Sequence, residues 1–230
     1  MSKHIFWVAS YPKSGNTLLR SILISLLLTE DGIFNLKMLN MIPQFDSVKK
    51  IYENKKLFGN NFKNINNIEI FYKYILMMQE KESLKFNEDF KFFKTHSGNF
   101  SIGGNNFTKE ENIRGIAYMV RDPRDICISW SKHLGISIDE SINVMTNSKQ
   151  ALHWKDNDEK FLKKDRPSSF LSSWENHINS WTSLKWKVPL IIIRYEDLVY
   201  KKEIVIKKII DFFNINYGFN FNNLEEKIPN

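Results

Sequence analysis

One cysteine, Cys127, is all the sequence contains. A lone thiol closes no intramolecular disulfide framework and builds no cysteine-based zinc site. Its apolar neighbours mark it as a small core residue. Long apolar runs are missing as well. "ILISLLL", Ile22 to Leu28, falls well short of the roughly 20 residues that span a bilayer. The opening residues, "MSKHIFWVASYPK", end their apolar stretch at Pro12 and Lys13, which is not a signal-peptide pattern. These absences predict a soluble, cytoplasmic protein with no membrane partner. Basic residues form only short pairs, such as Lys49-Lys50, Lys55-Lys56 and Lys207-Lys208, so no nucleic-acid-binding tail is expected. Internal repeats are absent too.

What the chain does have is enough material for one well-buried domain: 230 residues, of which 42% are hydrophobic. Its net charge of +7 favours an anionic ligand. Four apolar runs read as strands of a buried parallel sheet: "HIFWVAS" (4–10), "FKFFKTH" (90–96), "GIAYMVR" (115–121) and "PLIIIRY" (189–195). Helical patterns lie between them. Residues 15–29 form a helix launched from a glycine turn. "DPRDICISWSKHLG" has Asp122 at the N-cap, Pro123 at the first helical position and Gly135 at the stop. "SSFLSSWENHINSWTSLK" sets Leu171, Trp174, Ile178 and Trp181 on one helical face, and 201–213 form a last amphipathic helix. Residues 56–67 and 97–110 read as irregular. Strand and helix alternate, so the expected fold class is α/β, a central parallel sheet flanked by helices in a single domain. Right-handed crossovers then gather every strand-to-helix turn at one sheet edge.

Four stretches bring chemistry to that edge. In "YPKSGNT" a polar turn with Lys13, Ser14, Gly15, Asn16 and Thr17 precedes a helix, whose N-terminus attracts anions. The Walker pattern puts Lys directly after its last Gly. Here Asn16 stands there, and the lysine lies two residues before Gly15. An ordinary strand-to-helix turn is the alternative. "KTH" places Lys94 and His96 on one side of a strand end, a cation and a base. A histidine that merely closes a strand and bonds a loop is the alternative. In "YMVRDPRDICISW", Arg121 and Ser129 suit a second phosphate, or Arg121 pairs with an Asp of "RDPRD". "RYEDL" offers Tyr195 for a base or sugar and carboxylates that could orient a lysine, or else a buried aromatic and a helix cap.

In this order the four stretches, with "WENHINSW" before the last, resemble the sulfotransferase family that uses 3'-phosphoadenosine 5'-phosphosulfate (PAPS), and most of all its soluble bacterial type. The resemblance runs from about residue 5 to 215. It implies a P-loop-like fold, PAPS as sulfuryl donor, no metal, and a hydroxyl or amine acceptor on a small molecule or carbohydrate. By resemblance, Lys13 binds the 5'-phosphosulfate and steadies the bridging oxygen, and Ser14, Gly15, Asn16 and Thr17 cradle the 5'-phosphate. His96 is the general base and Lys94 steadies the sulfuryl group. Arg121 and Ser129 hold the 3'-phosphate, and Tyr195 lies near the adenine. Leu18 stands where the family has an adenine-stacking Trp, and "KTHSG" replaces the commoner "KTHLP". The family's later Arg-Lys-Gly and Gly-x-Trp-Lys segment has no counterpart before the closing "NNLEEKIPN", so no residue is carried over for it. Two other readings stay open: a P-loop kinase or nucleotide hydrolase, and a non-catalytic nucleotide-binding descendant. Residues 35–85 and the loop after His96 are expected to shape the acceptor site. Phe45, Tyr52, Phe58, Phe71, Tyr72 and Tyr74 are read there mainly as core.

Overall fold

The structure is a computed structural model describing residues 4–65, 67–86, 88–154 and 166–219. Its centre is a four-stranded parallel sheet. The main elements, in chain order, are β1 (Ile5–Ser10), α1 (Asn16–Leu27), β2 (Lys91–Thr95), β3 (Ile113–Val120), α2 (Pro123–Leu134), α3 (Ile138–Thr146), α4 (Trp174–Thr182), β4 (Leu190–Arg194) and α5 (Lys202–Tyr217). Strand order is β2-β1-β3-β4, with Ala9 opposite both Thr95 and Tyr118, and Met119 opposite Ile193. The chain steps from β1 to one side and then crosses to the other. That reversal opens a crevice beyond the carboxyl ends of β1 and its neighbours, where open α/β sheets bind ligands.

Every residue of β1 is buried, because helices cover both faces of the sheet. Alternation along the strand divides its side chains. Trp7 joins Phe45, Phe71, Tyr72, Phe93, Phe107 and Trp181 on one face. Phe6 and Val8 meet Leu19, Leu23 and Ile24 of α1, and Ile206, Ile209 and Phe213 of α5, on the other. Of the six aromatics expected mainly in the core, Phe45, Phe58, Phe71 and Tyr72 are fully buried. Among the described residues, no helix is long and apolar enough to cross a membrane.

The four expected strands form within a residue or two of their predicted ends, and α2 has its Asp122 cap, first-position Pro123 and Gly135 stop as read from sequence. Four expectations need correction. The helix expected to include "SSFLSS" begins only at Trp174, where the Ser173 hydroxyl caps it by accepting from Asn176 N. The preceding Arg166–Phe170 is a strand paired with Ala151–Trp154, so the helical spacing of Leu171 with Trp174 is fortuitous. The last helix runs on past 213 to Tyr217, until Gly218 stops it at φ 66°. Within 97–110, Gly103 and Gly104 both take positive φ and turn a short hairpin between Ser101–Ile102 and Asn105–Asn106. Residues Lys55–Phe58 and Gly59–Asn64 are short helical turns, not irregular chain.

Phe213 is fully buried against Phe6 and Phe92, and it docks α5 on the sheet. Phe213→Ala is expected to cost about 3–5 kcal/mol in urea denaturation. A loss under about 1 kcal/mol would show that α5 does not seal that face.

Candidate active site

Beyond Ser10 the chain cannot continue as a strand. Lys13 takes φ 67° and Gly15 φ 94°, two left-handed positions within three residues. A side chain at Gly15 would also run into the Tyr195 ring. For lysine that backbone is strained, and such strain persists only where its surroundings hold it. They do so here: Arg121 Nη1 donates to the Lys13 carbonyl at 3.2 Å, and Ser14 N donates to Tyr11 O at 3.3 Å. Gly15 then starts α1 without any side-chain cap, which leaves the first-turn N–H groups to a ligand.

A cleft of about 990 Å³ opens at this edge. Lys13, Gly15, Asn16, Thr17, Lys94, His96, Arg121, Ser129 and Tyr195 all line it, so four stretches scattered over the sequence meet in one place. Ser14 is the exception. It is buried beneath the loop, and its hydroxyl has no partner. The Asn16 carboxamide is turned inward, donating to Val8 O at 3.2 Å and Ser10 Oγ at 3.1 Å. What Asn16 offers an anion is therefore its backbone N–H.

His96 is buried with Nδ1 at 2.8 Å from the Ser10 carbonyl. A carbonyl only accepts, so Nδ1 carries the proton and Nε2 keeps its lone pair. Burial, then the charge of Lys94, holds the imidazole well below its usual pKa, with the Ser10 bond pulling the other way. It is a neutral base. Lys94 is brought down to about 8, by burial and then by Arg20, against a pull upward from Asp46.

Arg121 makes the Asp pair the sequence allowed without leaving the cleft. It lines the cleft and also pairs with Asp125 at 3.5 Å, an i,i+4 contact. Its guanidinium stacks on Tyr195, 4.2 Å from the ring centroid, and its Nε is buried without a partner. Tyr195 begins a short helical segment, Tyr195–Tyr200. Of the two carboxylates of "RYEDL", Asp197 pairs with Lys201 at 3.7 Å, a lysine that does not line the cleft. Glu196 instead accepts from Asp122 N at 2.8 Å, fastening the start of α2 to the end of β4.

Several residues of this region were not legible in sequence. His177 donates from Nε2 to the His96 carbonyl at 2.9 Å, and its Nδ1 accepts from the Tyr118 hydroxyl at 2.8 Å. Trp181 Nε1 donates to Ser97 O at 3.0 Å, and Ser180 Oγ accepts from Asn99 N at 2.9 Å. One face of α4 thus clamps the chain after β2. The "WENHINSW" spacing was visible, but not its target. Arg20, buried on α1, donates to the Leu39 carbonyl. Leu18, Phe34, Leu36, Leu134 and Leu152 add an apolar wall to the cleft.

Comparison with known proteins gives this geometry its family. The sulfotransferase domain model matches residues 3–228, and the chain belongs to that family. A curated mouse (Mus musculus) relative, sulfotransferase 2A6, is 29% identical over 107 residues, 45% of this chain and 32% of that protein. Among solved structures, mouse sulfotransferase SULT7A1 complexed with PAP aligns with a TM-score of 0.54 at 15% identity, over 99% of this chain and 63% of that one. Retinol dehydratase in complex with androsterone and inactive cofactor PAP aligns at 0.53 with 17% identity, over 93% of this chain and 60% of that one. At these identities the structural likeness is one of fold. The chain spans less than two thirds of each of these relatives.

His177, like His96, is held neutral: burial lowers it to about 4. Unfolding returns it to water, where a histidine takes its proton near 6.5. Between pH 6.5 and 4 the unfolded chain thus binds more protons than the fold, and stability falls as pH falls. His177→Gln should flatten that dependence by up to about 1.4 kcal/mol per pH unit in denaturation curves at pH 6.5 and 5. An unchanged slope would mean that His177 is not a neutral buried group.

Proposed function

We propose that this chain transfers a sulfuryl group from PAPS to a hydroxyl on a small, largely apolar acceptor. One observation carries the reading: the strained, uncapped loop around Lys13 and the neutral base His96 share a single cleft. The residues fit the donor. Arg121 Nε is buried without a partner and the N-terminus of α1 has no side-chain cap, so an anionic ligand would satisfy groups the fold leaves open. Lys13 and the loop N–H groups would hold the 5' end. Arg121 and Ser129 would hold the 3'-phosphate, with Tyr195 near the base.

When bound, PAPS supplies the sulfuryl group on a phosphate leaving group. The chain's own residues supply position and charge. His96 Nε2 takes the acceptor hydroxyl's proton, while Nδ1–H on the Ser10 carbonyl keeps the ring from turning. Lys94 places a positive charge beside that base, and Lys13, on the same cleft, would offset the negative charge that develops on the leaving oxygen. The apolar residues that share the cleft with these cations suit an acceptor with a hydrocarbon body, and retinol dehydratase is in complex with such a molecule, androsterone. The nucleoside-triphosphate alternative fits less well. Among the described residues no Asp or Glu lines the cleft to hold Mg²⁺.

Adenosine 3',5'-bisphosphate is expected to raise the melting temperature, by the equivalent of about 2.7 kcal/mol at a hundred times its Kd. Lys13→Ala should blunt the rise, and ATP with Mg²⁺ should not reproduce it. His96→Ala should abolish turnover of a phenol or alcohol panel while keeping the bisphosphate shift. Absence of any shift for folded wild type would refute the reading. A shift without turnover on any acceptor would favour a non-catalytic nucleotide-binding descendant.

A further inference from the structure

Alternation at the end of β2 sends Lys94 and His96 toward the cleft and Thr95 and Ser97 away from it. The second pair meets Asp46, a fully buried carboxyl. Its Oδ2 accepts from Thr95 Oγ1 at 3.2 Å, Ser97 Oγ at 2.8 Å and Ser169 Oγ at 2.6 Å. Its Oδ1 accepts from Gln44 Nε2 at 3.1 Å. All four partners donate, as an ionised carboxylate requires. Burial raises the Asp46 pKa, and the Ser169 and Ser97 bonds and the Lys94 charge work against that rise.

Gln44 does not stop at Asp46. Its Oε1 accepts from Lys94 Nζ at 3.1 Å. The carboxamide can face only one way, since its reverse would set NH₂ against an ammonium and C=O against a carboxylate. The backbone fixes the same alignment: Lys94 N donates to Pro43 O, and Phe45 N to Lys94 O, both at 2.9 Å. A hydrogen-bonded line therefore runs from a buried anion through a polarised amide to a cation on the cleft wall.

We propose that Asp46 is a positioning residue for Lys94, acting through the Gln44 carboxamide to aim its ammonium into the cleft and sustain its charge. In its catalytic consequence this rests on the sulfotransferase reading. The groups facing Lys94 are Arg20 from α1, His96 from its own strand, and Asp46, while Lys13 and Arg121 line the same cleft. Asp46 is the one anion among them, so without it Lys94 has only burial and repulsion. The hydroxyl cluster also explains why an acid with no face on the cleft sits within two bonds of it.

Asp46→Asn and Gln44→Leu test the line in the full chain. Gln44→Leu keeps every hydroxyl on Asp46, so it stays informative if the first variant folds poorly. The direct readout is the pH dependence of Lys94 acetylation by acetic anhydride, followed by mass spectrometry, which needs no turnover. The midpoint should fall in both variants, by about one pH unit or more in Asp46→Asn, a tenfold gain in neutral amine. In turnover, the alkaline limb of kcat should move down with it while bisphosphate affinity stays unchanged. A Lys94 midpoint that stays put in Gln44→Leu, with only the melting temperature lowered, would overturn the proposal and make Asp46 a purely structural acid. Failure of the wild type to bind bisphosphate would sink the sulfotransferase reading instead, and the Lys94 titration would still decide the relay.

Discussion

The hydrogen bond from His96 Nδ1 to the carbonyl of Ser10 joins the two halves of the site. Ser10 is the last residue of β1, and the strained turn at Lys13 and Gly15 begins directly after it. Asn16 reaches back to the same residue, through the Ser10 hydroxyl. His96 and the loop at Lys13 are thus anchored at one point of a fully buried strand. From behind, His177 holds the His96 carbonyl and Trp181 holds that of Ser97. A shift of β1 against β2 would move base and loop apart. Five residue pairs in parallel register resist that shift.

Electrostatics at this edge works by restraint. Lys13, Lys94 and Arg121 line one cleft, with Arg20 buried beside them, and no carboxylate among the described residues lines it. Opposite charges are present but kept out of the opening. Asp46 lies behind β2, Asp125 beside Arg121 on α2, and Glu196 on the backbone of Asp122. Cations are therefore supported without being neutralised where a ligand would enter. That arrangement favours anions by enclosure as well as by charge, since screening by water is weaker in a cleft. Burial of His96 keeps it from adding another positive charge.

Much of this was legible in the chain. The strands of a doubly covered parallel sheet are apolar runs, and "DPRD" with Gly135 writes both ends of α2 in capping chemistry. The loop, His96, Lys94, Arg121 and Tyr195 could be located because each sits at a strand end. What was not legible depends on contacts far apart in sequence. Asp46 and Ser169 are 123 residues apart, and His177 and His96 are 81. No local pattern encodes such pairs. The start of α4 was misread for a related reason: apolar spacing carried the helix back to Leu171, while strand pairing and the Ser173 cap decided where it begins.

The central claim is that His96 is a neutral imidazole with its proton on Nδ1 and a free Nε2. Nitrogen-15 NMR of histidine-labelled protein, with His96→Gln for assignment, measures this directly. His96 is expected to show a protonated Nδ1 and an unprotonated Nε2 from pH 8 to well below the ordinary 6.5. An Nε2–H tautomer, or an imidazolium forming near the ordinary 6.5, would contradict it.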